Sequence, residues 1–494
     1  MRAKQLIGCG WVCLLLLAGC GGRSAATPAP LPTEIAPVAT SAPLALATEI
    51  PTAVPITTSR EAPTEAPTEA PTTITQAPAR AAALGEIYVD ANAARGVVSP
   101  YASGVTWGPL WQVRMEVMPL AEQLAPGMIA FPGGEYGDTN NLQPLEIDRL
   151  MELSVRLGAE PLIHVRLPGG TPEQAVALMN YTNEQKNYNV KYWAIGNEPN
   201  LYAGKHTDVP WDATYFATEW RRFAQAMKAA DPGMILVGPE ITQFVGTENV
   251  SRSDEQQAAA WMRTFLEMNG DLVDVVSFHR YPFPTDMRNP VDTKAADLFA
   301  NASEWDTIIP ALRALMMETT GREYPIAVTE VNSHYTKTFG RPASPDSLPN
   351  ALWWGDVFMR MLRAQVEIVN FWTLVTKDSD GGWGILGRNA ERPVFHTFML
   401  YQQMGKQLVA ADAGLDNVQV LAARRDDGAL TLMLSNLSPT AQAATLQIDG
   451  ADFTNAAIWR LDATHMGTEV EGETVANGAT LTLPPESLTL FVLQ

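Results

Sequence analysis

Between Gly104 and Leu374 the chain repeats one pattern eight times, a short apolar run followed by a helix-length stretch. The runs are Gly104–Trp107, Met128–Phe131, Pro161–Val165, Val190–Gly196, Ile235–Gly238, Val273–Phe278, Ile326–Val331 and Ile368–Leu374. Between them lie amphipathic segments such as Leu145–Leu157, Pro172–Asn180, Tyr215–Ala230, Gln256–Asn269, Ala311–Thr319 and Leu352–Gln365. Strands divided by helix-length connections pair in parallel, because a tight hairpin cannot join parallel neighbours. Eight such units predict an α/β fold of the (β/α)8 barrel type. A doubly wound open sheet is the alternative, but no Gly-x-Gly-x-x-Gly follows the first run to favour it.

The pattern changes after Arg392-Pro393. A helix-like stretch, Val394–Met404, closes the barrel. Short alternating runs follow at Val418–Ala422, Leu430–Leu434, Thr445–Ile448, Ala457–Leu461, Thr480–Leu483 and Thr489–Leu493. Turn residues separate them, among them the hairpin signal Asp426-Asp427-Gly428. This predicts a C-terminal antiparallel β-sandwich. Glu86–Val89 precedes the first barrel run and is read as one more sandwich strand.

The N-terminus is of another kind. Arg2 and Lys4 precede an apolar run, Trp11 to Leu17, that ends in Leu17-Ala18-Gly19-Cys20, the pattern of a secretory signal. The run is too short to stay in a bilayer as a spanning helix. From Gly21 to Ala83 the chain is mostly Pro, Thr and Ala, with Ala-Pro-Thr-Glu at Ala62–Glu65 and again at Ala66–Glu69. Such a stretch cannot bury a core and is expected to remain an extended tether. The predicted organisation is therefore a signal at 1–19, a disordered tether at 20–83, a barrel at 84–404 and a sandwich at 405–494. The only cysteines are Cys9, Cys13 and Cys20, which rules out a disulfide framework or a cysteine metal site in the body. A net charge of −20 argues against nucleic acid as a partner and is compatible with neutral sugars.

In a barrel, the carboxyl ends of all the strands meet at one mouth. The runs end there in Pro132-Gly133-Gly134-Glu135, His164-Val165-Arg166, Asn197-Glu198-Pro199, Gly238-Pro239-Glu240, His279-Arg280-Tyr281-Pro282, Thr329-Glu330-Val331-Asn332 and Trp372. Pro199 cannot donate to a strand ladder, so strand four should stop with Glu198 at its tip. Glu330 holds the corresponding place on strand seven. Glycoside hydrolysis needs such a pair, one carboxyl to protonate the leaving oxygen and one to attack or stabilise the anomeric carbon. Glu240 competes as a catalytic group or a substrate contact, and Glu135 and Asp138 as substrate contacts or loop-shaping residues. His164 and His279 lack a neighbouring His-x-x-x-His or Cys set, so sugar hydrogen bonding is expected of them rather than metal ligation. No metal or organic cofactor is expected. Trp383, in Asp380-Gly381-Gly382-Trp383-Gly384, is a candidate sugar platform, whereas Trp107, Trp111, Trp353 and Trp354 include core residues.

Trp193-Ala194-Ile195-Gly196-Asn197-Glu198-Pro199 resembles the acid/base motif of clan A glycoside hydrolases, and Ile326-Ala327-Val328-Thr329-Glu330 resembles their nucleophile strand. The layout from Glu86 to Gln494 is similar to families 51 and 39, which include α-L-arabinofuranosidases and β-xylosidases. Phe131-Pro132-Gly133-Gly134 and Leu483-Pro484-Pro485-Glu486-Ser487 are similar to family 51 elements. The resemblance implies Glu198 as general acid and then base, its pKa raised by partial burial and by the Glu330 charge. It implies Glu330 as the ionised nucleophile. Asn197 would bond the sugar 2-hydroxyl, Tyr281 would steady Glu330, and Trp372 would floor the ring. His279, Trp383, His164 and Glu135 complete the expected substrate site. One position departs from the family pattern. An arginine that helps hold the nucleophile precedes the Phe-Pro-Gly-Gly turn in many clan A enzymes, and Ala130 stands here, with Arg166 or Arg280 as the expected substitute.

Leu17-Ala18-Gly19-Cys20 also resembles the bacterial lipoprotein signal, which implies lipidation of Cys20, a membrane anchor and a cell-surface location. Together these readings predict a surface-tethered retaining glycosidase for extracellular polysaccharide or oligosaccharide, preferentially an α-L-arabinofuranosidase or β-xylosidase. An endo-β-glycanase or β-glucuronidase on the same barrel, and a non-hydrolytic carbohydrate-binding lipoprotein, are the alternatives.

Overall fold

The structure, a computed structural model, describes residues 80–206, 209–247, 250, 252–285 and 292–494. The expected signal, Cys20 and all but the end of the tether lie outside the described residues. The described residues belong to one compact unit. None of their helices is long and apolar enough to cross a membrane.

Eight parallel strands close a barrel: β2 (Gly104–Thr106), β3 (Met128–Phe131), β4 (Glu160–Val165), β5 (Tyr192–Ile195), β6 (Ile235–Thr242), β7 (Val275–Arg280), β8 (Ile326–Val331) and β9 (Ile368–Phe371). Closure is made by β2, which pairs with β3 on one side and β9 on the other. Side chains alternate along each strand. Met128, Ala130, Leu162, Ala194 and Ala327 fill the lumen, while Phe131, Ile163, Trp193, Phe278 and Val328 join the larger core shared with the helices. Burial on both faces explains why the runs read as continuously apolar.

The helices follow local rules. Pro144–Leu157 opens with Pro144 in its first turn and a capping box between Gln143 and Glu146, and it ends at Gly158 in the left-handed region (φ 71°). The helix at Trp305–Thr320 starts earlier than the expected Ala311 and carries Pro310 inside it. A proline costs a helix interior about 3 kcal/mol. Trp305, Ile308 and Ile309, all buried ahead of the proline, supply several times a single side chain's ~1.5–3 kcal/mol of burial.

The remaining strands are β1 (Glu86–Val97), β10 (Gln407–Ala413), β11 (Val418–Arg424), β12 (Leu430–Asn436), β13 (Gln442–Asp449), β14 (Ala456–Leu461), β15 (Met466–Glu469), β16 (Thr480–Leu483) and β17 (Ser487–Leu493). Their order is β15-β14-β17-β12-β11-β10-β1-β13-β16. Ile87 and Val89 of β1 share an apolar core with Val420, Leu432, Leu446 and Phe491, so strands from both ends of this order enclose one interior. β1 pairs antiparallel with β10 and parallel with β13, which ties the segment before the barrel into the C-terminal domain. The helix Leu348–Arg363 lies between the two domains. A Cβ on its Gly355 would lie 2.8 Å from Leu488, and Ser435 donates to Asp356 at 2.5 Å. Trp353 and Trp354 of this helix are fully buried core residues.

Candidate active site

Glu198 follows β5 in a backbone conformation that side chains seldom adopt, φ 48° and ψ 54°. Three contacts hold it there. Its own N–H donates to the Glu240 carbonyl at 3.0 Å. The Asn197 N–H donates to the Tyr202 hydroxyl at 2.9 Å, and that hydroxyl donates to Asp138 at 2.8 Å. Gly196 must lack a side chain, because a Cβ would sit 2.6 Å from the same hydroxyl. Strain maintained in this way is a mark of functional positions.

Glu330 is brought to the mouth by a bulge. Phe278 pairs with Val328, but the next residue, His279, pairs with Glu330. The extra residue lets both Thr329 and Glu330 turn toward the lumen end. Glu330 accepts from the Tyr281 hydroxyl at 2.7 Å and from the Gly134 N–H at 3.0 Å. His279 stands between the carboxyls, with Nδ1 3.2 Å from Glu198 and 3.7 Å from Glu330. Its Nε2 lies 2.8 Å from Glu240, which also accepts from Thr329 at 2.7 Å. An oxygen of Glu198, an oxygen of Glu330 and His279 Nδ1 all lie within 4.8 Å of one another. Among the described residues this is the one trio of such donors, and His164 is outside it.

Above the pair opens a cavity of about 570 Å³, a size suited to a small ligand. Trp111, Tyr136, Tyr281, Tyr335, Trp372 and Trp383 supply its aromatic walls. Trp372 meets Trp111 edge to face at 5.1 Å, and the Trp383 indole donates to the His334 carbonyl at 2.8 Å. Gly134 (φ 61°) passes so close beneath Trp372 that a Cβ would lie 2.9 Å from the ring. The Gly-Gly turn therefore brings an N–H to Glu330 under an aromatic lid. Asn197 lines the cavity, and its side-chain amide, though buried, has no hydrogen-bond partner among the described residues. It is free to bond a ligand hydroxyl. Glu135 sits at the rim, ion-paired with Lys205.

Burial pushes Glu330 up to about 7, and the Glu198 charge adds to this against the His279, Tyr281 and Gly134 contacts. Burial opposes ionisation of Glu198 as well, but the His279 hydrogen bond and charge, with Lys205, hold it below the ordinary range. This reverses the expected order, in which Glu198 carries the raised pKa. The cause is the imidazole between the two carboxyls. Burial disfavours the imidazolium, yet Glu330, Glu198 and Glu240 together raise His279 well above its usual value.

Other expectations are also corrected. His164 is buried and is not part of the cavity wall; it faces Glu240 from β4 and does not reach the substrate space. Glu240 is fully buried behind His279 and is neither a catalytic carboxyl of the mouth nor a substrate contact. Asp138 is buried against Tyr202 and shapes the Asn197–Glu198 turn. Neither arginine replaces the one missing at Ala130. Arg166 donates to the Pro168 carbonyl at 2.7 Å, and Arg280 is held by Glu255 at 3.0 Å and Glu304 at 2.6 Å. Strand alternation explains Arg280, since its neighbours His279 and Tyr281 take the lumen side. The hydrogen bonds to Glu330 come instead from Gly134 and Tyr281. Tyr335, Tyr136, Asn140 and Leu110 line the cavity and were not foreseen. Tyr335 had a visible signal, an aromatic residue five places after Glu330 in the loop beyond β8.

Comparison with known proteins finds glycoside hydrolases. Residues 171–283 match the model of glycoside hydrolase family 44, and residues 416–485 match that of the D-apionate lactonase C-terminal immunoglobulin-like domain. The "Probable alpha-L-arabinofuranosidase C" of Aspergillus terreus is 28% identical over 162 residues, 28% of this chain and 30% of that protein. The match thus spans less than a third of the relative's length. The Thermotoga maritima α-L-arabinofuranosidase, solved with arabinose, superposes with a TM-score of 0.64 at 17% identity, covering 83% of this chain and 99% of that one. A Paenibacillus polymyxa xyloglucanase from family 44 gives 0.65 at 16% identity, covering 83% and 99%. At these identities the structural likeness speaks for the fold, a (β/α)8 barrel followed by a β-sandwich.

Proposed function

We propose that this protein is a retaining glycoside hydrolase in which Glu198 is the acid/base and Glu330 the nucleophile. The observation that carries the reading is the carboxyl pair at the ends of β5 and β8, with oxygens within 4.8 Å under an aromatic-walled cavity. Retaining enzymes hold their carboxyls about 5–5.5 Å apart, whereas inverting enzymes leave ~6.5–9.5 Å for a water.

In the first step Glu198 gives its proton to the glycosidic oxygen as Glu330 attacks the anomeric carbon. The sugar becomes esterified to Glu330 and the aglycone leaves. In the second step Glu198, now ionised, takes a proton from water, which attacks the same carbon and frees Glu330. The first step needs the shared proton on Glu198 and the charge on Glu330. Positive charge developing at the anomeric carbon favours that arrangement, and so do the two donors aimed at Glu330. Asn197, whose amide is unpartnered beside the cavity, would bond the 2-hydroxyl, and Trp372 and Trp383 would offer faces for sugar C–H groups.

α-L-Arabinofuranosides and β-xylosides are the preferred substrates, supported by the arabinofuranosidases among the relatives and neighbours. Endo-action on a β-glycan is the second reading, and the family 44 match over residues 171–283 supports it. A panel of aryl glycosides and polysaccharides, with the anomeric configuration of the first product read by NMR, tests both. Retention is expected, and a 2-deoxy-2-fluoro glycoside should leave its sugar on the Glu330 peptide. Unchanged turnover in Glu330→Gln would sink the assignment.

We further propose that Cys20 carries a lipid and that residues 20–83 hold the enzyme off the cell surface. Labelled palmitate should enter the intact protein and not its Cys20→Ala variant.

A further inference from the structure

The lumen beneath the mouth holds a third glutamate that no sugar can touch. Glu240 is fully buried, and it adopts a left-handed backbone conformation with φ 62°. One carboxylate oxygen takes both His279 Nε2 at 2.8 Å and the Thr329 hydroxyl at 2.7 Å, and the other has no hydrogen-bond partner among the described residues. Its backbone N–H donates to Ser277 at 3.0 Å, and its carbonyl accepts the Glu198 N–H at 3.0 Å. Glu240 therefore grips the catalytic turn twice, once through the backbone of Glu198 and once through the imidazole that faces the Glu198 side chain. An ionised carboxyl at this depth needs a charged or donating partner, since an unpaired buried charge is very costly. His279 is the one that also reaches the reacting pair.

Building on the glycosidase reading, we infer that Glu240 is a positioning residue that keeps His279 doubly protonated, with Nδ1–H directed at Glu198, and so sets the pH range in which the Glu198–Glu330 pair works. The arrangement resembles a carboxylate orienting the histidine of a catalytic triad, with a carboxyl in the place of the nucleophile. His279 is faced by Glu198 from the end of β5, by Glu240 and Glu330 from β6 and β8, and by His164 from β4. His164 is buried and burial disfavours its charged form, while Glu240 favours it; it also acts on Glu240 from β4 but does not reach the Glu198–Glu330 pair. Lys205 and Asp138 act on Glu198 from the rim and the turn.

The direction of the effect follows from charge. With Glu240 ionised, His279 is a cation beside both catalytic carboxyls, and both ionise more readily. In Glu240→Gln the side-chain shape remains and an amide oxygen can still accept from Nε2. The negative charge is gone, so His279 loses its proton at lower pH. The carboxyls then lose a neighbouring positive charge, and their ionisations move up. An opposite charge at this range is worth about 1–3 pKa units, partly offset here by loss of the Glu240 charge itself.

The experiment is the pH profile of kcat/KM on an aryl glycoside, with wild type and Glu240→Gln compared at matched thermal stability. Both limbs should move to higher pH by about one unit. A purely structural role would lower the rate without moving the limbs, so a superimposable profile overturns the inference. Ring ¹⁵N NMR provides a readout that needs no activity, with the His279 signal assigned by its loss in His279→Gln. The His279 pKa should fall in Glu240→Gln; an unmoved value overturns the inference. If the wild type hydrolyses nothing while the His279 pKa still falls, the dyad stands and the glycosidase reading fails. If Glu240→Gln does not fold, Thr329→Val leaves the Glu240 carboxylate ionised and shared with His279 alone, which favours the imidazolium more strongly and should move the limbs the opposite way, to lower pH. Unmoved limbs in that variant overturn the inference.

Discussion

Tyr281→Phe isolates one hydrogen bond at the heart of the site. The Tyr281 hydroxyl donates to Glu330 at 2.7 Å, and the Gly134 N–H at 3.0 Å is the other donor to that carboxyl. The Glu330 side chain is 4% exposed, so water cannot readily take the place of a lost donor. Phenylalanine keeps the ring and removes only the hydroxyl. A hydrogen bond to a charged group is worth about 1.5–3 kcal/mol, and one pKa unit is about 1.4 kcal/mol. The substitution should thus raise Glu330 from about 7 by roughly one to two units, because the lost donor stabilised the ionised form. The alkaline limb of kcat/KM reports loss of the pair's one proton from the free enzyme, and with Glu198 below Glu330 that loss follows the Glu330 value. This limb should move up by the same amount, and activity below the wild-type midpoint should fall ~10–100-fold. At alkaline pH the two enzymes should converge. A rate lowered equally at every pH, with an unmoved midpoint, would refute the claim that Tyr281 acts by stabilising the Glu330 charge.

Three further outcomes are expected. Glu198→Ala should lose ~10²–10⁴-fold on substrates with poor leaving groups and far less of the first step on dinitrophenyl glycosides, with azide restoring turnover and giving a glycosyl azide of retained configuration; product analysis decides. Gly134→Ala puts a Cβ 2.9 Å from the Trp372 ring at a φ of 61°, so kcat/KM should drop at least tenfold as the N–H withdraws from Glu330, with a lowered Tm. His334 is buried and held down to about 4, against an ordinary 6.5. Between those values the unfolded chain binds more protons than the folded one, so stability is present above pH 6.5 and is lost as pH falls toward 4, by about 3 kcal/mol. Urea unfolding at neutral and acid pH should show that loss, and His334→Gln should flatten it.

The barrel was legible because its signal is doubly redundant. Each strand is buried on both faces, so it appears as an unbroken apolar run, and each is followed by an amphipathic helix. The sandwich was harder to read. β10 reads Gln-Leu-Val-Ala-Ala-Asp-Ala, with too little bulk to mark a strand, yet it pairs with both β1 and β11. β15, Met-Gly-Thr-Glu, lies at the sheet edge and is largely exposed, so burial imposes no alternation on it. The misplaced start of Trp305–Thr320 has a related cause. Pro310 signals a helix boundary locally, and only the packing of Trp305, Ile308 and Ile309 overrides it.

In the site, the legible part was what strand ends dictate, and the illegible part was what bulges and neighbours decide. Glu198, Tyr281 and Trp372 converge because strand position brings them to one rim, and Glu330 stands at the end of its run although a bulge turns it inward. The places of His164, Glu240 and Arg280 depend on depth and on which face a residue takes. Register shifts after Gly238, Phe278 and Val328 change that alternation just below the mouth. Ala130 illustrates the consequence. In the sequence alone, a small side chain at this position leaves Glu330 one donor short unless another guanidinium takes its place. The fold needs no guanidinium there. Ala130 fills the lumen beside Ala194, the Gly133-Gly134 turn brings a backbone N–H to Glu330, and His279 places an imidazole 3.7 Å away. An imidazole supplies its positive charge only while a carboxylate behind it keeps the ring protonated. In a barrel without the arginine, the buried Glu240 behind His279 therefore has an electrostatic role that a fixed guanidinium would have made unnecessary.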